Sequence, residues 1–354
     1  MSRFFSTKYA GLEPYTPGEQ PRDMKYIKLN TNESPFPPSK KAVEYAAREA
    51  GKYQLYSDPE CTQLVEIAAE HFGVDKDEIL FTNGSDEILN FAFMAFCDSD
   101  NPAYFPDITY GFYPVFAKIN NIPYVEIPLK DDFSIDVSDY RGKRGAIFIA
   151  NPNAPTGIAL PLSDIETIIK SNPESVVVID EAYVDFGAES AVPLIKKYDN
   201  LLVTQTFSKS RSMAGARLGF GIGCKSLIMD LNTIKYSTNP YNVNRATMAA
   251  GVGALLDEEY TLENCRKIIA TRERIKKELS DLSFEMTDSA ANFIFAKHKS
   301  VGGEELYKRL KEKGILVRHF SKEKLCKYNR ITVGTDDQMD ALLAAVREIT
   351  GEEL

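Results

Sequence analysis

The chain has 354 residues, 44% of them hydrophobic and 26% charged, with a formal net charge of −9. That length exceeds the size at which one hydrophobic core stops growing, so two domains are expected, and the composition lies far from disordered or collagen-like chains. The acidic balance argues against nucleic acid or an anionic membrane surface as a partner, because such binding draws on clustered Lys and Arg; any basic site must be a local pocket.

The N-terminal string MSRFFSTKYAGLEPY lacks a long apolar core, and no apolar run approaches the roughly 20 residues that span a bilayer. The expectation is therefore a cytoplasmic protein, neither exported nor membrane-embedded. Cys61, Cys97, Cys224, Cys265 and Cys326 are odd in number, widely spaced and without a CxxC pair, so neither a disulfide framework nor a zinc site is suggested. His71, His298 and His319 show no i, i+4 pairing, which argues against a metal centre.

Within the first 40 residues, Pro14, Pro17, Pro21, Pro35, Pro37 and Pro38 break periodic structure and predict an extended arm (1–40). From there to 240 short β-rich runs alternate with helical stretches. EILFT, AYF, YVEI, GAIFIA, SVVVID, LLVTQTF and RLGFGI make seven candidate strands. Continuous apolar runs such as Val176 to Ile179 suit strands buried on both faces, as a mostly parallel sheet covered by helices requires. The texture changes after Pro240. A long helical stretch, Ala246 to Leu282, precedes strand candidates at Phe284 to Met286, Phe293 to Ala296, Leu316 to Arg318 and Arg330 to Val333, and a last helix covers Asp336 to Ile349. That order reads as a separate α+β layer over 241–354.

Four strings carry chemistry. In TFSKSRSMAGARLGF, Lys209 is flanked by Thr206, Ser208 and Ser210, and Arg217 stands among Gly215, Ala216 and Gly219. A loop lysine is ordinarily a solvated charge. Hydroxyls and a guanidinium around one amine instead suit a phosphate-bearing aldehyde, which Arg binds bidentately while the amine condenses with the carbonyl. In VVVIDEAY an apolar strand ends at Asp180, where ligands bind in open α/β sheets; the plainer reading is a helix cap. Beside a pyridine nitrogen such a carboxylate keeps the ring protonated and an electron sink, and Tyr183, three residues on, could bond the ring's phenolate oxygen. In NGSDEIL, Gly84, Ser85 and Asp86 would open a helix whose N-terminal N–H groups accept a phosphate, unless the string is a plain capping turn. PNAPTG, 152–157, is a turn-rich string whose chemistry composition alone does not reveal.

NTNESPF (30–36), NGSDEIL, NPNAPTG, VIDEAYVDF, TFSK, AGARLGF, NPYNVN (239–244), ANFIF, GILVR and RITVGT, taken in this order, resemble the aspartate-aminotransferase-type superfamily, and within it the histidinol-phosphate aminotransferase branch. The resemblance implies the α/β fold of pyridoxal-phosphate-dependent transferases of fold type I. It has a large cofactor domain (41–240) around a mostly parallel seven-stranded sheet, and a small C-terminal α+β domain joined by the arm. It implies a homodimer with shared active sites and pyridoxal 5'-phosphate as cofactor. Carried over by position, Lys209 is the Schiff-base lysine, Asp180 the partner of the pyridine nitrogen and Tyr183 a donor to the phenolate oxygen. Tyr110 would stack on the ring. The phosphate would lie on the backbone at Gly84, Ser85 and Asp86, on Thr206, Ser208 and Arg217, with Tyr56 reaching across from the other subunit. Arg330, with Arg318, Tyr15 and Asn32, would meet the substrate. One position departs from the pattern: where many relatives carry Asn before PTG, this chain has Ala154, and the adjacent Asn153 is a weaker candidate for the same bond.

For that branch the implied reaction has two halves, with Lys209 as tether and general base. Histidinol phosphate, a phosphorylated amino alcohol, gives up its amino group to 2-oxoglutarate, leaving imidazole acetol phosphate and L-glutamate. A guanidinium fork suits both the phosphate and the carboxylate. Competing readings are an aminotransferase for aromatic or other amino acids, a threonine-phosphate decarboxylase, and a nucleotide-binding or non-catalytic α/β protein. The last is disfavoured because no GxGxxG or GxxxxGK[ST] opens a helix.

Overall fold

In the computed structural model, which describes residues 2–351, the seven apolar runs all enter one sheet. The arm carries β1 (Ile27–Lys28) and leads into α1 (Lys40–Ala50) and α2 (Thr62–Phe72). There follow β2 (Ile79–Thr82), α3 (Ser85–Phe96), β3 (Ala103–Pro106), α4 (Tyr113–Ile119), β4 (Tyr124–Ile127) and β5 (Ala146–Ala150). Next come α5 (Leu162–Lys170), β6 (Val177–Asp180), β7 (Leu201–Thr206), β8 (Gly219–Gly223) and α6 (Lys225–Thr238). The strand order is β2-β8-β7-β6-β5-β3-β4, parallel except for β8, which runs against both β2 and β7.

Successive residues of β5, β6 and β7 feed opposite cores, because side chains alternate across a strand. Ile147, Ile149, Val177, Ile179, Leu201 and Val203 pack on one face with α2, α5 and α7 (Arg245–Leu255). Phe148, Val178 and Leu202 pack on the other with α3, α4 and α6, where the Phe93 and Phe148 rings stack at 4.1 Å. Burial on both faces is why these strands read as unbroken apolar runs.

The C-terminal part holds α8 (Glu258–Asp281), β9 (Phe284–Met286), β10 (Phe293–His298), α9 (Gly303–Glu312), β11 (Ile315–Leu316), β12 (Arg318–His319), β13 (Asn329–Thr332) and α10 (Asp336–Thr350). An antiparallel sheet, β12-β13-β10-β9, shares an apolar core with α8, α9 and α10. Thr335 and Gln338 close α10 with a capping box.

Three expectations need correction. The stretch from 246 to 282 is two helices: at Asp257 the backbone leaves the helical region (φ −123°, ψ 43°), which lets α7 serve the large core while α8 turns to the C-terminal one. Val243, Ala250, Val252 and Leu255 pack against the large sheet. The strand expected at 316–318 is divided between two sheets, with β11 pairing parallel to β1 of the arm and β12 antiparallel to β13. The arm is thus extended only in part; Thr7–Tyr9 forms a 3-10 turn and β1 is a strand.

The approach of α1 to α7 depends on Gly253, where a Cβ would come within 2.5 Å of the Lys41 carbonyl oxygen and 2.8 Å of the Ala42 Cα. Gly253→Ala gains about 1 kcal/mol of helix propensity, but backbone cannot yield as a side chain can, and overpacking costs about 1–3 kcal/mol. Thermal melts should show Gly253→Ala destabilised, while Gly51→Ala, whose Cβ meets nothing within 4 Å on an ordinary helical backbone (φ −70°), serves as the control that is not destabilised.

Candidate active site

The carboxyl ends of the parallel strands converge on a cavity of about 350 Å³. β2 delivers Ser85 and Asp86, the loop after β3 delivers Tyr110, β5 delivers Ala150, Pro152 and Ala154, β6 ends on Asp180 with Tyr183 beyond, and β7 leads to Thr206, Ser208 and Lys209. Gly215 and Arg217 enter from the loop before β8, and Thr31 and Glu33 from the arm. Of the residues singled out in the sequence, Ser85, Asp86, Tyr110, Asp180, Tyr183, Thr206, Ser208, Lys209 and Arg217 therefore share one wall system.

Asp180 pairs in register with Ala150 and Thr204 and is buried. The Tyr113 hydroxyl donates to one carboxylate oxygen at 3.0 Å and the Ala182 N–H to the other at 3.3 Å. Burial nonetheless pushes its carboxyl up to about 7. Glu181, one residue on and turned the other way, is also pushed up to about 7 by burial, although Ser190, the Ala191 N–H and Gln205 all donate to it.

Lys209 Nζ reaches the Thr31 carbonyl at 3.5 Å and lies 5.8 Å from the centre of the Tyr183 ring. Thr206 Oγ1 donates to Ser208 Oγ at 2.9 Å and accepts from the Ser208 N–H. The N-terminus of α3 has Gly84 as its cap residue (φ 80°) and no side-chain cap, which leaves first-turn N–H donors for a ligand. Its first turn carries Asp86 and Glu87; Glu87 accepts from the Asn83 N–H at 2.8 Å, and Asp86 accepts from Tyr110 at 2.7 Å and from Arg217 at 3.2 Å. Arg217 sits in the left-handed region (φ 55°) with its guanidinium against Gly84, where a Cβ would come within 2.5 Å of Nη2.

The remaining candidates lie elsewhere. Asn153 does not line the cavity: its amide binds the Ile108 carbonyl and the Thr109 and Thr156 hydroxyls, and Ala154 takes the wall position. Asn32 stands behind Tyr183 and donates to its hydroxyl at 2.9 Å. The Tyr15 ring lies 4.3 Å from that of Phe112, tilted by 32°. Arg318 donates to the Thr16 and Pro17 carbonyls of the arm. Arg330, directly across the strand pair from Arg318, faces the Phe293 and Phe320 rings, donates to the Asn30 carbonyl at 3.2 Å and keeps its Nε without a partner. Burial, with Arg318 adding like charge, holds Arg330 below the ordinary arginine value. Tyr56 is 80% exposed and stacked on Tyr241.

Sequence reasoning missed Tyr113. The string DITYGFY offers two tyrosines three apart, and only the fold shows that the second is wholly buried against Asp180. Among the described residues no three His, Cys, Asp or Glu side chains converge as a metal site, and no helix is long and apolar enough to cross a membrane.

A carboxyl raised by burial holds its proton in the folded chain up to about pH 7, whereas the unfolded chain releases it near pH 4. Asp180 and Glu181 therefore cost stability progressively as pH rises through that window, with no further change above it. In the protein without ligand, Asp180→Asn should be stabilising by on the order of 1–3 kcal/mol at pH 8 and by less at pH 5. Equal effects at both pH values in denaturant titrations would contradict this.

The sequence model for "Aminotransferase class I and II" matches residues 24–346. The chain is 51% identical to a histidinol-phosphate aminotransferase of Brachyspira hyodysenteriae, over 99% of each chain. It is 50% identical to one of a Marinomonas species, over 99% of this chain and 100% of the relative. The crystal structure of histidinol-phosphate aminotransferase from Sinorhizobium meliloti in complex with pyridoxal-5'-phosphate superimposes with a TM-score of 0.85 at 25% identity, covering 92% of both chains.

Proposed function

We propose that this chain, which belongs to the aminotransferase class I and II family, uses pyridoxal phosphate to move the amino group of histidinol phosphate to 2-oxoglutarate. The observation that carries the proposal is the meeting of Lys209, the buried Asp180 and an uncapped helix N-terminus in one cavity, in a chain half identical to proteins of that name over its whole length.

The residues fit the cofactor. A carboxylate with a donor already on each oxygen stays anionic only if a cation joins it, and a protonated ring nitrogen is such a cation. The α3 N-terminus, the Ser208 hydroxyl and the Arg217 fork suit a phosphate. When bound, the cofactor supplies an aldehyde that condenses with amines and a ring that takes up the electron pair of a broken C–H bond. In this reading the Lys209 amine tethers the cofactor, is displaced by the incoming substrate amine, and then carries a proton from the substrate carbon to the cofactor carbon. Tyr110 would cover the ring, and Tyr183 would donate its hydroxyl proton to the ring oxygen.

Arg318 and Arg330 would take the substrate anion. Like charges directly across a strand pair repel, and an anion between them offsets that cost. Tyr15, with the Thr16 and Pro17 carbonyls, closes the arm over this end. Histidinol phosphate should therefore exceed histidinol by at least tenfold in kcat/KM, because a dianion gains more from two guanidinium groups. Arg330→Lys should lower efficiency with histidinol phosphate and with glutamate, leaving the visible spectrum unchanged. Equal efficiency with and without the phosphate, or better turnover of phenylalanine, would make the protein a general aromatic aminotransferase.

The functional unit in this reading is a cytoplasmic homodimer. Tyr53, Leu55, Tyr56 and Tyr241 expose 62%, 56%, 80% and 44% of their surface on one chain, an apolar group that a second copy would cover. Tyr56 would then reach the partner's cofactor phosphate. Sedimentation should give twice the 39.6 kDa chain mass, and a fully active monomer would contradict the shared site.

A further inference from the structure

Asn32 lies in the left-handed region (φ 56°), is 1% exposed, and is tied at every polar atom. Its N–H donates to Thr332 Oγ1 at 3.0 Å, and Asn292 Nδ2 donates to its carbonyl at 3.0 Å. Because the Thr332 hydroxyl already accepts, its one proton goes to Asn32 Oδ1, at 3.1 Å. That contact fixes which way the amide faces, so Nδ2 is the end that meets Tyr183 Oη, at 2.9 Å.

We propose that Asn32 is a positioning residue: by donating to Tyr183 Oη it turns the hydroxyl proton of Tyr183 into the cavity, toward the ring oxygen of the cofactor. The inference rests on the pyridoxal-phosphate reading above. A phenol has one proton, and a hydroxyl that accepts from Asn32 must send that proton to a different acceptor. Among the described residues, the other side chains packed on or facing Tyr183 offer none. Ala154 and Phe293 are apolar, and Lys209 and Arg330, the charged groups facing it, are donors. Since Ala154 has no polar group, Tyr183 has no neighbour on that wall to share the task. The relay runs from β13 through the arm to the strand-end loop after β6, so three separate parts of the chain set one proton.

The test is the pH at which the visible absorption of the pyridoxal-phosphate-loaded protein changes. A donor to the ring oxygen favours the form with the more exposed oxyanion, so losing it raises that pH. Asn32→Gly keeps the left-handed backbone and removes only the side chain. It should raise the midpoint by roughly half a unit to one unit, the size of one hydrogen bond. Tyr183→Phe should do the same, and the double variant should match Tyr183→Phe alone. Three results would overturn the role of Asn32: an unmoved midpoint in Asn32→Gly, a second full shift when it is added to Tyr183→Phe, or loss of cofactor in Asn32→Gly but not in Tyr183→Phe. A wild-type protein that takes up no pyridoxal phosphate would overturn the cofactor reading as well.

Discussion

A carboxyl group is buried at the carboxyl end of a central parallel strand, and the rest of the site follows from the cost of keeping it there. Removing a charge from water costs several kcal/mol unless partners replace the solvent. Tyr113 and the Ala182 N–H replace part of it, and burial still drives Asp180 toward its neutral form. In the proposed reading a cationic ring nitrogen would complete the set. On this account burial of the Asp180 carboxyl carries an electrostatic cost that cofactor binding would relieve, so affinity and stability would be coupled through one side chain.

The parallel sheet makes the arrangement possible. With β2, β3, β5, β6 and β7 all pointing one way, their following loops meet at one edge, where ligands bind in open α/β sheets. The reversed strand β8 brings Arg217 back to that edge from the opposite direction, and Gly219 lets it approach: a Cβ there would lie 2.1 Å from the Ser85 nitrogen. The arm closes the other side. It pairs with β11, hydrogen-bonds Arg318 and supplies Thr31 and Asn32 to the cavity's edge, so it joins the C-terminal unit to the cofactor wall.

The seven strands of the large sheet were legible because burial on both faces leaves unbroken apolar runs, and each observed strand begins and ends within two residues of its run. The cluster around Lys209 and Asp180 was legible because hydroxyls, small residues and strand ends leave a local pattern. What escaped depends on contacts distant in sequence. Nothing near Val317 reveals that the arm claims the residues before it and β13 those after it. The break between α7 and α8 follows from two cores competing for one helical run. Asn153 and Asn32 are both polar residues in turn-rich strings. Only the fold shows that the first binds Ile108, Thr109 and Thr156 while the second bonds Tyr183.

The claim on which the account rests is that Lys209 carries the cofactor. Reducing the loaded protein with borohydride and mapping the labelled peptide by mass spectrometry tests it directly. The account predicts a yellow protein, bleached on reduction, with pyridoxal phosphate fixed to Lys209 alone. A label on any other lysine, or a cofactor that washes away after reduction, would contradict it.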